Sequence, residues 1–257
     1  MIALCVGDVV GEPGLLMAEN HLNTLRALYG ADLVVVNGEN ANMPGIRPEQ
    51  AERLFMAGAD VVTLGNHTWR RREIGHFLNE KANLLRPENF PSHNPGGGHF
   101  VAITGSGLRV CVISLVGKCL MDFHPDNPFS VIDRLLPTVV ADVIVVDMHA
   151  ETTSEKAAMA YHLDGRVQAL FGTHTHVQTA DECILPGGLG FITDIGMTGP
   201  AQSVLGVKPE QSVANFRGDV PQRFEAATGP CKLEGVLFDI DESAGRCREV
   251  QRVAIRE

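Results

Sequence analysis

His174 and His176 stand two residues apart at the end of the stretch Val167–His176, just after an apolar run that breaks at Gly172. In extended chain such residues point the same way, with Cα atoms roughly 6.5–7 Å apart. Both imidazoles can then serve one metal ion or two neighbouring ones. Four earlier apolar runs end in similar side chains. Ile2–Val6 leads to Asp8, Leu33–Val36 to Glu39 and Asn40, Val61–Leu64 to Asn66 and His67, and Val143–Val146 to Asp147 and His149. Each alone reads as a turn, where Asp and Asn are common. Their recurrence points to a shared site. Apolar strands alternating with helices imply a largely parallel sheet covered on both faces, and such sheets bind ligands beyond the carboxyl ends of their strands.

The donor types indicate the chemistry. Three histidines, one Asp, one Glu and two amide oxygens, without a thiolate, suit manganese, iron or zinc better than copper or an iron–sulfur centre. Asp8, Glu39, Asn40, Asn66, His149, His174 and His176 exceed the four ligands of a structural zinc. Two metals sharing a carboxylate fit the number better, with Glu39 the bridge by elimination. Metal pairs about 3.5–4 Å apart recur in phosphate-ester hydrolysis.

The elements that must position these residues follow from patterning. Gly11–Gly14 reads as a turn before a helix with Leu15, Ala18, Leu22 and Leu25 on one face; Pro48 opens a second helix, ended by Gly58. Leu85–His99 is an irregular, Pro- and Gly-rich loop, and Phe100–Thr104 with Leu108–Val116 forms a hairpin. Ser130 with Asp133 marks a capped helix start, and Thr152-x-x-Glu155 a capping box for a helix to Leu163. Asp194–Pro200 reads as a loop, and Gly235–Ile240 with Glu249–Ile255 as two closing strands.

The 257 residues, 44% hydrophobic and without linker or repeat, read as one domain over 1–257. A net charge of −10 argues against broad nucleic-acid or anionic-membrane binding but leaves room for a small phosphate ester, because bound cations can dominate the local field. Six scattered cysteines without a Cys-x-x-Cys pair read as reduced thiols, and no apolar run reaches membrane-helix length. The expectation is a cytoplasmic protein.

Asp8, Gly38-Glu39-Asn40, Gly65-Asn66-His67, His149 and Gly172-Thr173-His174-Thr175-His176, in this order, resemble the motifs of the calcineurin-like metallophosphoesterases. Gly7–Gly11, Asn37–Ala41, Thr63–His67, Asp164–Asp181 and Thr193–Pro200 resemble more closely the YmdB-like branch, regarded as 2′,3′-cyclic-nucleotide 2′-phosphodiesterases. The likeness covers essentially the whole chain and is least distinctive over Leu85–Met121. It implies an α/β fold, a four-layer α-β-β-α sandwich. It implies two divalent or trivalent transition-metal ions, iron or manganese ahead of zinc. Asp8, Glu39, Asn40 and His176 would hold one, and Glu39, Asn66, His149 and His174 the other. His67 would be the proton donor rather than a ligand. A hydroxide activated between the metals would open a 2′,3′-cyclic nucleotide, or a cyclic phosphate at an RNA end, to the 3′-phosphate. A homo-oligomer is compatible with all of this.

The chain departs from the broad superfamily at several positions. Val10 stands where a histidine is usual and Glu39 where an Asp is usual, and by the resemblance Asn40 would replace the missing ligand. Thr68 follows His67 where an acidic residue is frequent, so no partner that orients His67 is evident. Arg70-Arg71-Arg72 reads as a solvated charge run in preference to a phosphate-facing patch. His21, His76, His93, His99, His124 and His162 stand alone and read as surface or core residues. Asp147 is a candidate for orienting a ligand imidazole, whereas Asp181 and Asp194 read as turn residues.

Rival hydrolases fit less well. A metallo-β-lactamase pattern would need Asp and His where Gln178 and Thr179 stand, and an amidohydrolase barrel would carry its His-x-His near the first strand. A general phosphomonoesterase and a regulatory metal-binding protein without significant turnover remain as alternatives.

Overall fold

A strand covered on both faces needs no polar alternation, and all five residues of Leu33–Asn37 are buried. The structure, a computed structural model, describes residues 1–121 and 123–257. The first half contains β1 (Ile2–Val6), β2 (Asp8–Val9), α1 (Gly11–Tyr29), β3 (Leu33–Asn37), α2 (Pro48–Met56), β4 (Val61–Thr63), α3 (Ile74–Glu80), β5 (Leu84–Leu85), β6 (His99–Ile103) and β7 (Arg109–Val116). The second contains α4 (Pro128–Leu135), β8 (Val143–His149), α5 (Thr153–Leu163), β9 (Ala169–Thr173), β10 (Cys183–Ile184), β11 (Gly190–Ile192), β12 (Met197–Pro200), α6 (Pro209–Phe216), β13 (Cys231–Asp241) and β14 (Arg246–Arg256).

These strands form two mixed sheets, not the one largely parallel sheet that the run pattern predicts. The larger has the order β2-β12-β13-β1-β3-β4-β5, with β14 beside β13; the smaller has the order β10-β11-β9-β8-β7-β6. Each keeps a parallel centre, β1-β3-β4-β5 in one and β7-β8-β9-β11 in the other. Hairpins β6–β7 and β13–β14 fold back and add antiparallel neighbours.

Alternation along β1 shows how the layers separate. Ala3 and Cys5 join Val35, Val112, Val145 and Phe171 in one apolar cluster, so residues of both sheets meet face to face. Leu4 and Val6 belong to another cluster, with Leu15 and Leu22 of α1 and Leu54 of α2. A third joins Ile113, Val146 and Leu170 of the smaller sheet to Ile132 of α4 and Met159 of α5. The result is a mixed α/β fold.

Several local expectations change. Gly11–Gly14 is the first turn of α1, not a preceding loop; Pro13 is tolerated there because first-turn amides lack helical partners anyway. The α4 cap is Asn127, whose side chain accepts from the amides of Phe129 and Ser130 at 2.9 and 3.3 Å, so Ser130 lies inside the helix. Thr152 caps α5, but the Glu155 carboxylate receives the amides of Lys118 and Cys119 and does not close the box. Part of the expected loop Asp194–Pro200 is strand β12, paired with β2 and β13. Among the described residues no helix is long and apolar enough to cross a membrane.

Candidate metal centre

All eight side chains singled out from the sequence meet at the carboxyl ends of the parallel strands of both sheets. Asp8 follows β1, Glu39 and Asn40 follow β3, Asn66 and His67 follow β4, His149 ends β8, and His174 and His176 follow β9. His149 Nε2 lies 3.1 Å from Glu39 Oε1, 3.0 Å from Asn66 Oδ1 and 3.1 Å from His174 Nδ1. On the other side, Asn40 Nδ2 lies 3.1 Å from Glu39 Oε1, 3.2 Å from His176 Nε2 and 3.5 Å from Asp8 Oδ1. His67 Nδ1 is 3.0 Å from Asn40 Oδ1 and 3.2 Å from Glu39 Oε1. Glu39 is therefore common to both groups and to His67. Glu39, His149 and His174 each offer a ligand atom, all within 4.8 Å of one another.

Such an approach needs bare backbone at Gly65. A Cβ there would lie 2.3 Å from His149 Cδ2 and 2.4 Å from Glu39 Oε2. The two histidines of the His-x-His pair converge for a different reason from the extended spacing expected. Strand β9 ends at Thr173, and His174 and His176 have φ of 99° and 62°, in the left-handed region. A tight loop, not strand alternation, aims both rings inward.

That loop is held from below by a buried ion pair. Asp194 Oδ2 accepts from Lys156 Nζ at 2.7 Å, from the Thr175 hydroxyl at 2.7 Å and from the Thr175 amide at 3.1 Å. Lys156 and Asp194 are both fully buried. Asp194 is thus a support for the histidine loop, not the turn residue expected. The readable signal was Lys156 itself, which falls on the buried stripe Lys156, Met159, Ala160 and Leu163 of α5.

His149, His174 and His176 each have the outward ring nitrogen occupied. His149 Nδ1 meets Thr173 Oγ1 at 2.8 Å, and that hydroxyl donates to Asp147 Oδ1 at 2.7 Å. His174 Nε2 meets Glu151 Oε2 at 3.1 Å, and His176 Nδ1 meets the Leu205 carbonyl at 3.0 Å. Protons held on those outward atoms leave lone pairs facing the carboxylates, the tautomers a cation requires. Asp147 also bridges the sheets, accepting from Thr63 of β4 at 2.5 Å and Asn37 of β3 at 3.1 Å. Glu151, Thr173, Thr63 and Asn37 carry no signal of this role in the sequence beyond their places at strand ends.

Charge balance favours a cation as well. Burial pushes the Asp8 and Glu39 carboxyls up, but His176 beside Asp8 and His149 beside Glu39 hold both below the usual carboxylate range. Burial opposes a charge on His149, yet Glu39, Asp8 and Asp147 raise it to about 9. Burial and the nearby His149 press His174 down to about 3, and burial raises Asp147 to about 6. A proton on His149 thus occupies the place in the electrostatics that a metal ion would take.

Two neighbouring expectations resolve. His67 is oriented by Asn40 and Glu39, while the Thr68 hydroxyl ties back to the Gly65 carbonyl at 2.7 Å. Arg70 and Arg72 are exposed, but Arg71 is not part of a solvated run: its Nη2 donates to the Asn42 carbonyl at 2.9 Å.

Comparison with known proteins shows the family. The model of a family described as YmdB-like protein matches residues 4–253. The 2′,3′-cyclic-nucleotide 2′-phosphodiesterase of Bacillus subtilis (strain 168) is 40% identical over 260 residues, covering 100% of this chain and 98% of that protein. A solved structure of a hypothetical protein from Thermus thermophilus has a TM-score of 0.94 at 40% identity, covering 100% of both chains. A phosphatase from Mycoplasma pneumoniae has a TM-score of 0.93 at 36% identity, covering 100% of this chain and 93% of that one. The calcineurin-like phosphoesterase YfkN from Bacillus subtilis, with a TM-score of 0.54 at 12% identity and coverage of 100% and 90%, shares the fold. The chain belongs to the family of YmdB-like proteins.

Proposed function

We propose that this chain is a metal-dependent phosphodiesterase that opens 2′,3′-cyclic nucleotides to 3′-nucleotides, with residues 1–257 acting as one domain. The observation that carries the reading is the single oxygen Glu39 Oε1, which lies within 3.2 Å of His149, Asn40 and His67 together. The activity named for the Bacillus subtilis relative supports the substrate class. The three apolar clusters, one between the sheets and one outside each, support the four-layer α-β-β-α arrangement. Six free cysteines support a reducing, cytoplasmic setting.

The donor set fits two metal ions, iron or manganese in preference to zinc. Asp8, Glu39, Asn40 and His176 would hold one, and Glu39, Asn66, His149 and His174 the other. Bound there, the ions would neutralise the phosphate and supply an activated water near neutral pH.

The chain's own contribution is to orient groups and place a proton. His67 lies beside the donor set with Nδ1 fixed by Asn40, so Nε2 serves the leaving 2′-oxygen. The Nδ1–H of His67 donates to Asn40 Oδ1 and lies beside the Glu39 carboxylate, a partner for the protonated ring. As an imidazolium, protonated at both ring nitrogens, His67 would deliver its Nε2 proton to the leaving oxygen as the general acid. Glu151, Thr173 and the Leu205 carbonyl hold the three other rings in register.

The test is turnover of 2′,3′-cyclic AMP beside 4-nitrophenyl phosphate by metal-loaded protein, with product identification. Adenosine 3′-monophosphate as the product, and the cyclic substrate the faster, is expected. Preference for the monoester would favour a general phosphomonoesterase, and no turnover of either would favour a regulatory metal-binding protein.

A further inference from the structure

A cavity of about 250 Å³ opens beside Asn40, His67 and His176, and its other walls are apolar: Val10, Met43, Pro44, Leu205, Val207 and Phe224. Val10 stands where a histidine would have made that wall polar. The far wall is built by two loops stitched together: Val207 bridges to Ala226, and the Ala227 amide donates to the Gly206 carbonyl at 2.9 Å. Gly206 closes it against Val10, because its φ is +96° and a Cβ there would lie 2.4 Å from Val10 Cγ1. Leu205, whose carbonyl orients His176, also lines the cavity, so wall and centre are one construction.

An apolar chamber is an unsuitable seat for phosphate or ribose hydroxyls, which lose hydrogen bonds there. It suits the flat face of an aromatic ring. The bonding of the proposed substrate supplies one. His67 serves the oxygen on C2′, and the base is attached to C1′, the next carbon, so the base lies close beyond the His67 imidazole. A second cavity, lined by Asn66, Trp69, Arg70, Phe90 and Asn94 among others, reaches the centre through Asn66 and does not include His67.

Resting on the phosphodiesterase reading, we infer that the Val10–Phe224 cavity takes the nucleobase of the substrate and holds it by its faces. Among the described residues, its walls beyond the centre present no side-chain donor or acceptor to the base edges, so purine and pyrimidine are both admitted. Phe224 is 40% exposed and supplies the stacking surface. Loss of such a platform weakens binding by roughly 5- to 150-fold.

Two readouts test this on the full-length protein with Phe224→Ala and Phe224→Tyr. One is the ratio of kcat/KM for 2′,3′-cyclic AMP to that for ribose 2′,3′-cyclic phosphate, which lacks a base. The other is calorimetric binding of adenosine 3′-monophosphate. In Phe224→Ala the ratio is expected to fall at least about fivefold, chiefly through KM, with a matching loss of nucleotide binding. Phe224→Tyr is expected to restore both, and 2′,3′-cyclic UMP to stay within about tenfold of the adenine substrate. A ratio unchanged by Phe224→Ala, with binding of the 3′-nucleotide equally indifferent, overturns the pocket while leaving the phosphodiesterase reading intact. Absence of turnover of either cyclic substrate, with nucleotide binding still sensitive to Phe224, overturns the reaction and keeps the pocket.

Discussion

The two sides of the centre are built differently. Around His149 the support is buried strand: Asp147, Thr173, Thr63 and Asn37 join β8, β9, β4 and β3 in one hydrogen-bonded group without solvent exposure. Around His176 the support is loop: a backbone carbonyl at Leu205, itself at φ 54°, beside an apolar chamber. Strand ends are fixed by ladder hydrogen bonds and core packing, whereas loops adjust at low energetic cost. The His149 side is thus fixed by strands, and the His176 side by a loop tied at Thr175 to the buried Lys156–Asp194 pair and at His176 to the Leu205 carbonyl.

Removing what the two sides share should have the largest effect. Glu39→Ala is expected to strip metal from both and bring turnover to background; elemental analysis showing wild-type metal content would refute a bridging Glu39. Next comes His67→Ala, expected to keep its metals and lose roughly 10²–10⁴-fold in kcat. Full activity in that variant rejects His67 as the acid.

Asp147→Asn sharpens the contrast, because it touches one side alone. Weakening the buried support of His149 is expected to lower metal affinity about 10- to 100-fold, read by competition with a chelator. Equal loss in a His176-side variant such as Leu205→Gly would erase the distinction between strand-built and loop-built supports.

The smallest effect is a pH response of the metal-free protein. His149, raised to about 9, is protonated at neutral pH. The stability its carboxylate partners give is full below the unfolded value of about 6.5 and is lost as pH rises through about 9. The chelator-treated protein should therefore melt at lower temperature at pH 9.5 than at pH 7. With metals bound no proton remains on that nitrogen, so this fall should vanish. Parallel pH profiles in the two forms would contradict a proton standing in for a cation.

The strand ends were legible because apolar runs broke abruptly at Asp8, Glu39, Asn66 and His174, and parallel packing gathers such ends. That two sheets share the task was not legible from those runs, since burial on both faces gives the same Val-rich pattern in either sheet. The inward turn of His174 and His176 depends on positive φ values that their residue types do not announce. Asp194 was hidden by glycine-rich surroundings that resemble a turn, while its partner Lys156 broke the apolar stripe of α5 and was the visible half of the pair. The role of Asn40 in orienting His67 was out of reach, because the contact depends on how two loops from different strands approach each other.

The most direct test of a shared two-metal centre is turnover of 2′,3′-cyclic AMP by chelator-stripped protein as Mn²⁺ is added back. Expected is no turnover without metal and a rise that levels off at two ions per chain. Full activity at one ion per chain, or with none, would contradict it.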